Sequence, residues 1–313
     1  MIRIGLDMMG GDYTPTEAIK GLIHYLNNCP PTVHVYVIGN QLQLLTALQQ
    51  QPNHNYTIVP STQVIEYTEH PTKAWKNKQD SSIVVGFNML KAETIDAFIS
   101  AGNTGAMLVG CHFSLKPLPG IIRPAIAAVC PKLNGTTGLL CDVGLNADCK
   151  PEQLAQFAAL SNVLAKAIFN IESPKIGLLN IGEEEGKGNT LAQETYTLLK
   201  QNTALNFVGN IEGRDIFNDK ADVIVCDGFT GNVVLKMAEE LYEIAKQNGI
   251  DNPFFNRCNF ETYGGSPILG VSKPVIIGHG ISQHTAFTNM LKLAESMVAT
   301  NVMATMETIL VAE

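Results

Sequence analysis

Residues 2–25 read IRIGLDMMGGDYTPTEAIKGLIHY, and this stretch decides the fold class. Residues 2–6 form a short apolar run with the length and composition of a buried strand. Gly10 and Gly11 stop it. Pro15 suits the first turn of a helix, and a helix is expected over 16–25. The same alternation continues outward along the chain. Strands are expected at 33–38, 97–100, 125–129, 138–141, 176–180, 206–208, 223–226 and 275–277. Helices are expected at 41–50, 80–91 with Asp80 or Ser81 near its N-cap, 151–168, 191–200, 232–247 and from about 286 onward. Strand–helix alternation over the whole length predicts a mostly parallel α/β sheet covered on both faces. No linker or low-complexity stretch interrupts it, so residues 1–313 read as a single catalytic α/β unit, with 236–262 as an excursion.

Composition narrows the function classes. At about 300 residues a chain buries roughly three quarters of its unfolded surface, so a large core forms without staples. The chain is 45% hydrophobic and 16% charged, with 27 glycines, which fits a buried sheet rather than exposed helices. Against 21 basic residues stand 29 acidic ones, a net charge of −8. Non-specific nucleic-acid binding runs on Lys and Arg neutralising phosphates, so it is excluded. An anionic ligand must be held by local donors. The seven cysteines contain no C-x-x-C pair, an odd and irregular set that makes a poor disulfide framework. Reduced thiols and a cytoplasmic setting are expected. No signal-peptide h-region and no run of about 18–20 apolar residues stands in the sequence.

The loops after the strands carry the chemistry. Asp7-Met8-Met9-Gly10-Gly11-Asp12 brings backbone N–H groups and carboxylates to the sheet edge, or makes only a tight turn; it is not a dinucleotide G-x-G-x-x-G. Ser100-Ala101-Gly102-Asn103-Thr104-Gly105 opens an apolar helix, where free N–H groups favour an anion. Asn103 and Thr104 add donors there, or Thr104 is simply the cap. Asp142, Asn146 and Asp148 converge after another strand, as a metal site or a polar turn. The richest segment is Asn180-Ile181-Gly182-Glu183-Glu184-Glu185-Gly186-Lys187-Gly188-Asn189. The Lys187 ammonium is a compact charge for phosphate or a developing oxyanion. The segment is not a Walker A loop, since Gly188 stands where Ser or Thr is needed. Arg214 is read as an ion-pair partner of an acid or as a phosphate ligand. Asn232 is read as a site donor or as an N-cap. His279 and His284 are five apart, which is not a helical zinc pair, and no G-x-S-x-G elbow appears.

Taken in order, GLDMMGGD, ISAGNTGA, Arg123-Pro124, LLCDVGLNAD, GLLNIGEEEGKG, NFVGNIEGRDI, VIVCDGFTGNVVLK, YGGSPILGV and PVIIGHG strongly resemble the PlsX family. These are bacterial acyl-[acyl-carrier-protein]:phosphate acyltransferases of phospholipid synthesis. The resemblance runs from residue 2 to about 295, and residues 177–236 are its most specific part. It implies a three-layer α/β/α sandwich of the isocitrate/isopropylmalate-dehydrogenase-like class, a homodimer and no cofactor or metal. It implies transfer of a long-chain fatty acyl group from acyl carrier protein (ACP) to inorganic phosphate. The acyl phosphate would pass to a membrane glycerol-3-phosphate acyltransferase. Catalytic roles carry to Lys187 and Asn232. The residue readings and the resemblance together give Gly10, Gly11, Asp12, Gly102, Asn103, Thr104, Gly105, Arg123, Asp142, Asn146, Glu183, Arg214 and Gly231 as candidates for holding phosphate or substrate.

The chemistry agrees with that set. Phosphate is already a nucleophilic anion at neutral pH and needs no Ser/His system to activate it. The leaving thiol, with a pKa near about 8.5, departs without a strong acid. The site has only to hold an anion against a thioester carbonyl and stabilise the oxyanion. Two departures from the family stand out. Leu145 replaces the usual Ala. Many members carry a longer, Lys-rich hairpin where this chain has the short 236–262 segment. That segment holds three basic and five acidic residues, so weak or no direct membrane binding is expected, and a cytoplasmic protein. The rival readings are a phosphotransacetylase-like enzyme using acyl-CoA and a non-catalytic protein binding acyl-ACP or phosphate.

Overall fold

The computed structural model describes residues 1–52 and 55–311. From the N-terminus the elements are β1 (Ile2–Asp7), α1 (Thr16–Leu26), β2 (Val33–Gly39), α2 (Gln41–Leu48), β3 (Tyr56–Pro60), α3 (Pro71–Asn77), α4 (Ser82–Lys91), β4 (Ala97–Ser100), α5 (Thr104–Ser114), β5 (Ala125–Pro131) and β6 (Thr137–Cys141). There follow α6 (Pro151–Phe169), β7 (Lys175–Leu179), α7 (Thr190–Gln201), β8 (Asn206–Ile211), β9 (Val223–Val225), α8 (Gly228–Gln247), α9 (Pro253–Arg257), β10 (Gly265–Leu269), β11 (Val275–Gly278), α10 (His284–Ala299) and α11 (Val302–Val311). The sequence predicts one α/β unit; the contacts group into two compact units, each with its own core. The first holds Met1–Pro117, Glu261–Pro267 and Val271–Met303. The second holds Leu118–Phe260, Ile268–Gly270 and the residues from Ala304 onward. No linker marks the division because β10 itself runs from one unit into the other.

In the first unit the strand order is β3-β2-β1-β4-β11-β10. All neighbours are parallel except β10 with β11. Every residue of β4 is buried, as a parallel strand covered on both faces requires. Helices α4 and α10 both pack on β1 and β4, from opposite faces; α1 packs on α10, and α3 on α5. Phe87 of α4 meets Phe98 of β4 edge to face, with centroids 5.2 Å apart. In the second unit β10 contributes Ile268 and Leu269, paired antiparallel with β5, and the order continues β5-β6-β9-β7-β8. Strands β5 and β6 are antiparallel, and the rest are parallel. Helix α6 lies on β6 and β9 and packs against α7, while α8 reaches β6. Phe157, Leu160 and Leu164 of α6 are buried at helical spacing and supply much of this core.

Three differences from the sequence reading have local causes. Helix α8 starts at Gly228 rather than Asn232, because Asp227 caps it by accepting from the Thr230 N–H. The terminal helix divides into α10 and α11 at Asn301, whose φ of +51° is left-handed. Strands β3 and β10 and helix α3 were not anticipated. β3 is short and only half-buried, β10 carries Pro267, and α3 has only seven residues.

Candidate active site

The loops after the strands carry most of the predicted residues. In the first unit, Asp7 ends β1 and is fully buried. Its Oδ1 accepts the N–H groups of Met9 at 2.8 Å and Gly10 at 3.1 Å. Its Oδ2 accepts from Ser100 Oγ at 2.7 Å, and Ser100 Oγ accepts from the Gly102 N–H at 2.9 Å. Burial pushes the Asp7 carboxyl above its ordinary value, opposed by the hydroxyl and backbone donors around it. This tie brings Gly10 against Gly102 and joins the loops after β1 and β4. Asp12 is exposed, its backbone N–H bonded to the Gly280 carbonyl.

Asn103 is buried and its amide is committed to the fold. Its Oδ1 accepts from the Ala106 N–H at 2.9 Å and so caps α5. Its Nδ2 donates to the Glu66 carbonyl at 2.9 Å. The sequence reading makes both Asn103 and Thr104 ligand donors, with Thr104 as the cap in the alternative; the capping residue is Asn103. Thr104 is exposed in the first helical turn, beside Gly105. Their backbone N–H groups stand where a helix has no internal acceptors.

In the second unit, Asp142 follows β6 and is also fully buried. Its Oδ1 accepts the N–H groups of Ile126 at 2.9 Å and Leu145 at 3.3 Å. Its Oδ2 accepts the Asn146 backbone N–H at 2.7 Å and side-chain Nδ2 at 2.9 Å. Burial raises this carboxyl too, and those donors pull it back. Asn146 Nδ2 also donates to the Pro124 carbonyl, next to exposed Arg123. The Asn146 carbonyl accepts from the Gly228 N–H, which seats α8 on this turn. A Cβ on Gly231 would lie 1.9 Å from the Asp142 carbonyl oxygen, so the helix approaches closely only because that residue is glycine. Asn232 lies one residue further, in the second turn of α8. It is exposed, and its Nδ2 donates to the Val143 carbonyl at 3.1 Å. It is not a cap, and one of its two amide hydrogens remains for a ligand.

The 180–189 loop lies between β7 and α7. Asn180 Nδ2 donates to the Lys187 carbonyl at 3.1 Å. Asn210 Nδ2 donates to the Glu184 carbonyl at 2.9 Å, and the Lys187 N–H donates to that same carbonyl. Gly188 takes φ +87°, where a Cβ would meet Asn180 Oδ1 at 2.4 Å. The loop backbone is therefore fixed, while the Lys187 side chain is half-exposed and its Nζ stands 3.8 Å from Glu184 Oε1. Arg214 Nε lies 2.8 Å from Glu212 Oε2, and its Nη2 3.5 Å from Glu183 Oε1. Lys220 Nζ lies 2.8 Å from Glu183 Oε1 and 3.1 Å from Asp215 Oδ2. Lys220 holds the Glu183 carboxyl below its ordinary value. Of the two readings of Arg214, the structure makes it an ion-pair partner of acids, with Glu183 in the same network.

A cavity of about 340 Å³ opens between the end of β7, the start of α7 and the start of α8. Gly188 and Asn189, beside Lys187, border it on one side. Asp227 and Thr230, shortly before Asn232, border it on another. Thus the Lys187 loop and the α8 start share one cavity, although the ion-pair partner of Lys187 is Glu184. Burial pushes the nearby Cys149 thiol up to about 11, so it stays protonated at neutral pH. Among the described residues no group of three or more His, Cys, Asp or Glu side chains could hold a metal ion. The sequence motifs include Asp7, Ser100, Asn180, Asn210 and Asp227, but only the Asp7 carboxylate is given a role there and none of the five is among the candidates for holding substrate. Each sits at a strand end or a cap, and its proximity to Gly or Asn motifs was the available signal.

A family model described as fatty acid synthesis protein matches residues 2–250 and 245–305. A phosphate acyltransferase of Dictyoglomus turgidum is 43% identical over 319 aligned positions, covering 95% of this chain and 94% of that one. One from Thermoanaerobacterium thermosaccharolyticum is 42% identical over 323, covering 97% and 95%. Among solved structures, a phosphotransacetylase from Streptococcus pyogenes superposes with a TM-score of 0.65 at 16% identity, covering 97% of this chain and 94% of that one. That likeness concerns the fold.

Proposed function

This chain belongs to the fatty acid synthesis protein family, whose curated relatives are phosphate acyltransferases, and from that premise we propose that it takes a long-chain acyl group from acyl carrier protein and hands it to inorganic phosphate for phospholipid synthesis. It is an acyltransferase with phosphate as acceptor. The acyl-ACP donor, the downstream glycerol-3-phosphate acyltransferase, the homodimer and the site roles are our reading.

A phosphate oxygen attacks the thioester carbonyl carbon. The tetrahedral intermediate collapses, the C–S bond breaks, and the electron pair leaves on sulfur. The thiolate takes its proton from solvent, giving acyl phosphate and free carrier protein. Lys187 is placed to neutralise phosphate or the oxyanion. Its ammonium has only a long contact to Glu184 to give up. Asn232 offers its remaining amide hydrogen to the same centre, and preorganised donors of this kind are worth about 10²–10³ in kcat each. Asp142 and Asn146 act through Asn232 by fixing the turn on which α8 rests. The N–H groups of Thr104 and Gly105 and the exposed Arg123 are further candidates for phosphate. What supports the reading most is the cavity bordered by both the Lys187 loop and the start of α8.

The exposed apolar residues Phe229, Val233, Met237 and Ile244 recur along α8 at helical spacing and support pairing with a second copy. No helix among the described residues is long and apolar enough to cross a membrane. The acidic 236–262 segment supports weak or no direct lipid contact. Co-sedimentation with anionic liposomes tests this, and strong binding overturns it. The test of the reaction is phosphate-dependent thiol release from palmitoyl-ACP by purified protein. Release from acyl-CoA but not acyl-ACP would favour the phosphotransacetylase-like reading. Release from neither would reject acyl transfer by this site.

A further inference from the structure

We propose that the 340 Å³ cavity beside the Lys187 loop is the pocket for the acyl chain, and that Leu191 at its edge sets the chain length the enzyme prefers. The inference rests on the acyl-transfer reading given above. Leu154 and Leu178 line the cavity and are buried, so they form its base. Leu179, Leu191 and Ala192 are half-buried and form its wall. Ile181 lies at its mouth, 83% exposed, an apolar side chain left in water beside a polar loop.

Most of the polar side-chain groups of the lining are already engaged. Asn189 Oδ1 accepts from the Ala192 N–H and caps α7. Asp227 accepts from the Thr230 N–H and from Thr230 Oγ1, both at 2.8 Å. Asn180 donates to the Lys187 carbonyl and accepts from the Ile181 N–H. Burial pushes the Cys226 thiol well up, so it is neutral. An occupant with amides, such as a pantetheine arm, would find few free partners here. A saturated chain needs none and would cover Ile181. The volume is about twice the ~150 Å³ cavity that takes a benzene ring, which gives room for on the order of a dozen carbons. The geometry also sets the polarity of entry. With the tail against Leu154 and Leu178, the thioester carbon comes to the side bordered by Gly188 and Asn189, next in sequence to Lys187, and by Asp227 and Thr230 at the start of α8.

The experiment is a chain-length series of acyl-ACP thioesters, C4 to C18, with saturating phosphate, read as kcat/KM. Wild-type protein, Leu191→Trp and Leu191→Ala are compared. In the wild type kcat/KM rises about fourfold per buried methylene and levels off once the cavity is full. Leu191→Trp lowers the C16-to-C4 ratio at least tenfold and moves the optimum to shorter chains. Leu191→Ala moves it to longer ones. An equal loss at every length in both variants, or an unchanged profile, overturns the proposal. If the wild type transfers no acyl group at all, the functional reading has failed instead. The pocket is then judged by saturable binding of cis-parinaric acid. Binding that Leu191→Trp weakens at least tenfold supports an apolar-chain site, and no binding to wild type rejects it.

Discussion

Replacing Gly231 by Ala tests how α8 is seated. Helix propensity alone favours the change, since Ala is better than Gly in a helix interior by about 0.8–1 kcal/mol. The structure reverses that sign. The new Cβ would stand 1.9 Å from the Asp142 carbonyl oxygen and 3.0 Å from both the Asp142 carbonyl carbon and Cys226 Sγ. Real Cβ atoms essentially never come within 3.0 Å, so something must shift by at least about 1.1 Å. The nearest atoms are backbone, held by Asp142's own bonds to Ile126 and Asn146, so the helix must move instead. Overpacking of this kind costs about 1–3 kcal/mol. A shift of about 1 Å at a reacting group costs about 10²-fold in rate, and Asn232 is the next residue. We therefore expect Gly231→Ala to lower Tm by several degrees and kcat/KM about a hundredfold. Gly213→Ala is the control, because a Cβ there meets nothing within 4 Å. Thermal denaturation by circular dichroism and the thiol-release assay measure both quantities. A Gly231→Ala protein as stable as wild type, or more so, would refute the close-approach argument.

Lys187→Ala should abolish turnover through kcat, with Tm unchanged, because the side chain is half-exposed and loses only a 3.8 Å contact; full activity would remove Lys187 from the mechanism. Asn232→Asp should be worse than Asn232→Ala, since the new carboxylate faces the Val143 carbonyl as well as an anionic substrate; equal kcat/KM values would leave the amide no role as donor. Glu17 accepts from Lys20 and from the His284 backbone, and Lys20 chiefly holds its pKa down at about 2, below the ordinary carboxylate range. A depressed carboxylate stabilises the fold above its unfolded pKa and loses that contribution as pH falls through its folded one. Glu17→Gln should therefore flatten the fall in Tm between about pH 4.5 and 2; an unaltered slope would refute the linkage. Lys73, Lys76 and Lys78 around Trp75 make a candidate ACP dock in the sequence. Lys78 is spent on Glu69 at 2.5 Å, whereas Lys76 and Lys91 line a cavity with Trp75 and Phe113. Charge reversal at Lys73, Lys76 and Lys91 should raise KM for acyl-ACP and reduce its salt dependence; unchanged kinetics would move the dock elsewhere.

Legibility followed how strongly local sequence decides local structure. Strand β4 occurs at the predicted bounds because an all-apolar run between turn signals has few alternatives. The start of α8 was hidden, since Gly-Phe-Thr-Gly reads as loop. Only the Asp142 turn and the Asp227 cap make a glycine-rich helix start favourable there. At the candidate site, the sequence marks loops that follow strands but not which of their side chains are buried. Asn103 and Asp142 carry the same kinds of group as Asn232 and Asp12, yet the side chains of the first two are buried in hydrogen bonds that span 34–37 and up to 16 residues. Arg214 reads two ways in the sequence because Glu183, 31 residues away, meets it only in the fold. Such partnerships are long-range, so a local reading leaves them open.

The route of β10 bears on synthesis. The first unit is assembled from three separate stretches, the last ending at Met303, whereas most of the second lies in the unbroken stretch Leu118–Phe260. As the chain leaves the ribosome, β4 is made early, yet its neighbour β11 arrives only after residue 274. At about 5–20 residues per second, β4 waits on the order of 10–35 s with one edge unpaired. Most of the later-made unit, Leu118–Phe260, can therefore form before β4 gains its second neighbour, and the first unit must keep an open strand edge from pairing with another chain meanwhile. Pulse proteolysis of ribosome-stalled chains reads this order directly: early protection of β4 in chains stalled before residue 270 would contradict it.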